Sequence, residues 1–121
     1  MTQSLATELA QFTGTEKWYR AINPRVTYTD GVKYFADTAG AHWLIDIIAT
    51  ELAKPCRIEG FLSIKAVVTG TKAKLIADDG NGKIIWQRAI GYTDCPEGEW
   101  KFFLAPEGPQ ETLVLLLPSE Y

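Results

Sequence analysis

His42 and Asp46 are the two polar side chains best spaced to act together. Four residues apart, they share one face of a helix and could give a metal ion two ligands. A zinc site needs at least three protein ligands, and His42 is the only histidine. The others would have to come from Cys56, Cys95 or distant carboxylates. The plainer reading is a polar stripe on a helix surface. Cys56 and Cys95 form no CxxC pair and read as two free thiols in a reducing compartment. A cysteine nucleophile would need His42 brought to it by folding alone. There is no GxSxG elbow. Gly80-x-Gly82 lacks the further glycine and the lysine of a phosphate-binding loop. The segment DDGNGK at 78–83 invites a calcium reading, but an EF-hand loop needs oxygen ligands at positions 1, 3 and 5 and a glutamate at 12. Counted from Asp78, position 3 is Gly80 and position 12 is Ala89; counted from Asp79, position 5 is Lys83. A hairpin turn fits better.

Binding is better represented than catalysis. Trp18, Tyr19 and Arg20 are consecutive, and such side chains dominate interface hot spots. The alternative is a core Trp with an Arg laid along the surface, since large aromatics are mostly buried. Trp86 lies between Ile84 and Arg88 in a segment apolar on both faces. An uncovered apolar sheet face there would mark an interface, most simply a two-fold dimer. Cover by a loop or by the N-terminal segment is the equal alternative.

The elements that must position these residues fit one domain of 121 residues. The apolar fraction of 46% is too high for a disordered chain. The 12 Lys and Arg are outnumbered by 15 Asp and Glu, so direct nucleic-acid binding, which favours a basic excess, is not expected. No basic, apolar leader opens the sequence. The apolar stretches at 43–49 and 113–117 fall far short of the ~20 residues that span a bilayer. A cytoplasmic setting is therefore expected.

Leu5, Leu9 and Phe12 form one helical stripe, with Ser4 as N-cap and Gly14 as stop. Residues 18–20 and 26–28 read as short extended pieces around the Asn23-Pro24 break. Asp30 is placed to cap a helix over 30–39, with Val32, Phe35, Ala36 and Ala39 on one face and Gly40 as stop. A hairpin turning at Asp30-Gly31 is the rival, and the agreement of stripe and caps favours the helix. Residues 41–53 predict a largely buried helix whose polar stripe is His42, Asp46 and Thr50, closed by Lys54-Pro55. From Phe61 the period becomes two: strands are expected near 62–68, 73–77, 83–92, 100–104 and 112–117.

The segments FTGTEKWYR, YTDGVKYFADTAGAHWLID, DDGNGK, YTDCP and LPSEY resemble a family of small bacterial and phage-associated proteins of unknown function. WLID and LPSEY are the most specific pieces. The resemblance implies one intact domain and brings no catalytic residue.

Together these readings predict an α+β domain. Two or three N-terminal helices would cover one face of a roughly five-stranded antiparallel meander. The expected role is a non-enzymatic interaction or accessory protein without a cofactor. It would bind a protein partner or self-associate through the Trp86 face, the candidate contact residues being Trp18, Tyr19, Arg20, His42, Asp46 and Trp86. The alternative is a small-molecule binder or enzyme. Its pocket would lie between the central helix and the sheet, lined by Tyr28, Tyr34, His42, Asp46 and Trp86.

Overall fold

The computed structural model describes residues 5–107 and 112–121. The first helix, α1, is Leu5–Leu9; the expected cap Ser4 lies outside the described residues. Two short strands follow, β1 (Tyr19–Arg20) and β2 (Val26–Tyr28). They pair antiparallel, with Tyr19 opposite Tyr28 and their rings stacked at 5.5 Å. Asn23 turns the chain between them: its carbonyl accepts from the Val26 amide and its side-chain oxygen from the Arg25 amide.

Residues 30–39 form helix α2 (Asp30–Ala39), not a hairpin. Val32, Phe35, Ala36 and Ala39 are buried along its stripe, and Gly40 ends it in the left-handed conformation at φ 64°. The cap is Thr29, one residue before Asp30. Next, α3 (His42–Ile47) runs through a π-turn at Ile48–Leu52 into α4 (Ala53–Glu59). Lys54-Pro55 does not close this helix as expected. Proline lacks the N–H for a normal helical bond, and the wider π-turn just before it absorbs that mismatch. The helix continues to Gly60, at φ 81°.

Five longer strands complete the fold: β3 (Leu62–Thr69), β4 (Lys72–Asp78), β5 (Ile84–Ile90), β6 (Gly98–Glu107) and β7 (Thr112–Leu116). With β1 and β2 they form a seven-stranded sheet in the order β1-β2-β7-β6-β3-β4-β5. This overturns the expected five-stranded antiparallel meander behind N-terminal helices. Strands dominate the described residues, the sheet is mixed, and the four short helices do not all precede the strands. The reason is one long-range parallel pairing: Val26, Thr27 and Tyr28 of β2 lie beside Leu113, Val114 and Leu115 of β7. That contact recruits the two short N-terminal strands and seats β7 between β2 and β6, so β2 and β3, and likewise β5 and β6, follow each other in sequence without pairing in the sheet.

One sheet face carries the core. Leu62, Ile64, Leu75, Phe102, Leu104, Leu113 and Leu115 are all buried there, with Leu44, Ile48 and Leu52 from the long helix. Phe35 of α2 packs edge-on against Phe102 and tilted against Trp100. The other face is more polar: Lys65 pairs with Glu99 at 3.5 Å. At one end it holds an aromatic trio of Phe61, Phe103 and Tyr121, with centroids 5.2–5.8 Å apart.

Candidate functional site

The most elaborate polar structure sits where α2 begins. A helix N-terminus leaves amide N–H groups without intrahelical partners. Here the C-terminal turn Pro118–Glu120 supplies a carboxylate to them. Glu120 Oε2 accepts from the Gly31 amide at 3.2 Å. Its Oε1 accepts from the Thr29 hydroxyl at 2.6 Å and from the Leu117 amide at 3.0 Å. Gly31 admits this turn because it has no side chain. A Cβ there would lie 2.5 Å from Leu117 Cδ1 and 2.7 Å from Glu120 Oε1.

The loop before β1 closes over the same helix end. Asp30 accepts from the Glu16 amide at 2.9 Å and from the Tyr19 hydroxyl at 3.1 Å, while its own amide donates to Thr15. The Glu16 amide is the largest influence holding the Asp30 carboxyl below its ordinary range; burial opposes it, and the Tyr19 hydroxyl, Thr15 and the Lys17 amide add to the lowering. Burial, then the Asp30 contact, pushes the Tyr19 phenol up.

These two clamps leave a cleft of about 370 Å³ between them. Thr15 and Trp18 come from the loop, Thr29 from the helix cap, and Glu120 and Tyr121 from the C-terminal turn. Ala105, Val114 and Leu116 of β6 and β7 form an apolar floor, with Pro106 and Glu107 at one end. Trp18 is 51% exposed and Tyr121 75%, which is unusual for such large rings.

The six candidate contact residues do not converge. Trp18 lines the cleft. Tyr19, beside it in sequence, is spent on structure: it stacks on Tyr28, bonds Asp30 and lies under Lys33 Nζ at 5.5 Å. Arg20 is exposed on the short strand β1. His42 and Asp46 are exposed on the outer side of the long helix. The partner of His42 is Asp37, whose Oδ1 lies 2.6 Å from Nε2, while Lys33 holds the other oxygen at 2.6 Å. Lys33 first, then His42, holds the Asp37 carboxyl low. Trp86 is half-buried on the helix side of β5, opposite Ala77. Tyr28 and Trp86 have four strands between them, about 24 Å at the usual strand spacing. The pocket imagined between helix and sheet is therefore not assembled from those residues.

The remaining motifs are structural. In DDGNGK, Asp78 accepts from the Gly80 amide and Asp79 from the Asn81 and Lys83 amides, which makes the loop a hairpin turn. Cys56 and Cys95 are buried free thiols, and burial pushes both up to about 11. Among the described residues no group of three or more His, Cys, Asp or Glu is placed to hold a metal ion. No helix among them is long and apolar enough to cross a membrane. Reading the sequence for function missed Glu120, Glu107 and Tyr121. The available signal was LPSEY itself, a polar, aromatic ending after an apolar strand.

The family model described as "Family of unknown function (DUF6876)" matches residues 3–121, and the chain belongs to that family. No curated protein and no solved structure gives a significant match.

Proposed function

We propose that this protein is a non-enzymatic, cytoplasmic interaction module that self-associates through the free edge of its sheet. One observation carries the reading: β5 is a seven-residue strand at the end of the sheet order, with no neighbour on its outer side among the described residues. Proteins usually blunt such an edge with charge, proline or a covering element, because its unpaired amides and carbonyls invite another strand. The strand IIWQRAI carries one charge, Arg88, and that guanidinium is turned back to Glu51 on the π-turn. Ile84 is 53% exposed.

A second copy suits this edge by composition. An antiparallel pair with its two-fold on Gln87 sets Ile85 against Ala89 and Trp86 against Arg88. Apolar residues meet apolar residues, and the apolar stem of each Arg88 meets an indole while its guanidinium stays on Glu51. No like charges face each other. Trp86 thus belongs to the interface as an edge residue, not through an open sheet face.

Light scattering on the wild type should give twice the 13.5 kDa chain mass. Gln87 is exposed, so Gln87→Lys leaves the protomer intact while placing two lysines opposite each other at the axis. Like charges there cost on the order of 0.2–1 kcal/mol and should shift the mass toward monomer. Gln87→Glu should do the same, and mixing the two variants should restore the dimer. A wild type that stays monomeric, or a dimer indifferent to both variants, would overturn the reading.

A further inference from the structure

The cleft between the two clamps lies over β6 and β7, with β3 and β4 between it and β5, and its chemistry points to a ligand. Its polar lining includes the carboxylates of Glu107 and Glu120, and no lysine, arginine or histidine is among the described lining residues. Its rings are Trp18 and Tyr121, both largely open to solvent. Its floor is the apolar patch Ala105, Val114 and Leu116. The adjoining α2 N-terminus would by itself favour an anion. Glu120 already occupies it, taking the Gly31 amide, the Leu117 amide and the Thr29 hydroxyl. The demand for negative charge is met from within the chain, and the remaining space is bordered by Glu107, Trp18 and Tyr121.

We propose that this cleft binds an organic cation, an ammonium or guanidinium group carried on an apolar stem. The charged head would lie against Trp18 or Tyr121 and near Glu107, because aromatic faces attract cations and gain most where water is excluded. The stem would lie on the floor formed by β6 and β7. A volume of about 370 Å³ is within the range of small-ligand sites and holds one such group with its stem. Lysine and arginine side chains and free alkylamines share this chemistry, and the experiment separates them.

The test follows the Trp18 indole N–H of the full chain by two-dimensional NMR, its peak assigned with Trp18→Phe. Agmatine and butylammonium represent free cations, a blocked Gly-Arg-Gly peptide represents a side chain, and hexanoate is the anionic control. Saturable shifts of Trp18 with agmatine at about millimolar concentration are expected for a ligand of so few atoms. Glu107→Gln should weaken binding several-fold, Trp18→Ala, followed instead at the Tyr121 amide, at least tenfold, and added salt should weaken it too. Tighter binding of the peptide than of agmatine assigns the site to a protein side chain, and the reverse assigns it to a free amine. Equal response to hexanoate, or no saturable shift from any cation, overturns the proposal. Both substituted residues are exposed, and the variants' amide spectra check that the fold is retained. Dimerisation at β5 involves neither residue, so the two proposals stand or fall separately.

Discussion

Thr29 and Glu120 are 91 residues apart in sequence and 2.6 Å apart in space, with the Thr29 hydroxyl donating to the carboxylate. Thr29 is 2% exposed and caps α2 through the Val32 amide. The cap is therefore itself capped, and the C-terminal turn is tied to the helix start through one oxygen. Glu120→Ala leaves the Thr29 hydroxyl and the Gly31 and Leu117 amides without their acceptor and should cost about 1–3 kcal/mol. Thr29→Val should cost about 1–2 kcal/mol. Urea unfolding of both single variants and the double variant should give a coupling of at least about 0.5 kcal/mol. Strict additivity would mean that the two residues act independently.

Gly31→Ala provides a test by shape. Alanine is favoured over glycine inside a helix by about 1 kcal/mol. Here its methyl would overlap Leu117 and the Glu120 carboxylate at 2.5–2.7 Å. Overpacking of this kind costs about 1–3 kcal/mol, so the variant should be less stable, with altered amide shifts at 117–121. A more stable variant would show that the turn moves aside freely.

Acid should loosen the loop clamp before the core. The Asp30 carboxyl is held below its ordinary range, first by the Glu16 amide. A group depressed on folding contributes stability that is complete above its unfolded value, about pH 4, and is lost as pH falls through the lower folded value. Asp37 is held low by Lys33 and His42 and acts in the same direction. Asp30→Asn should therefore show a flatter loss of stability below about pH 4 than the wild type. An unchanged acid limb would remove Asp30 from the account.

The thiols should be silent in the native state. Cys56 is buried and donates to the Leu104 carbonyl at 3.3 Å, and burial raises it to about 11, as it does Cys95. The thiolate is the reactive form, so labelling with a disulfide reagent at neutral pH should be slow and should accelerate sharply in denaturant. Rapid labelling of the folded protein at either position would contradict this packing.

Much of the local structure was legible because it is written in short periods. Val32, Phe35, Ala36 and Ala39 announced α2, and Leu62, Ile64, Ala66 and Val68 announced β3. The sheet order was not legible, since no local signal in residues 26–28 names residues 113–115 as their partners. A long-range parallel pairing leaves no turn residue to read. The stop expected at Lys54-Pro55 failed because proline's missing N–H was absorbed by a π-turn, a detail of hydrogen bonding rather than of residue type. Among the candidate contact residues, Trp18 and Tyr19 could not be told apart, since both are aromatic and adjacent. Only the fold decides that one ring packs on Tyr28 and the other looks outward. His42 and Asp46 share a helix face as the spacing implied, but Asp37, across the Gly40 break, became the histidine's partner.

The parallel seat of β2 beside β7 also sets an order of events during synthesis. Chains emerge from the ribosome N-terminus first, at about 5–20 residues per second. Residues 19–28 therefore leave the exit tunnel many seconds before Leu113–Leu115, the strand they lie against in the sheet. The stretch that folds through local hairpins, β3 to β5, can assemble in the interval. The first hairpin has helix contacts within reach early, through Asp30 and Ala49, but it can join the rest of the sheet only when β7 arrives.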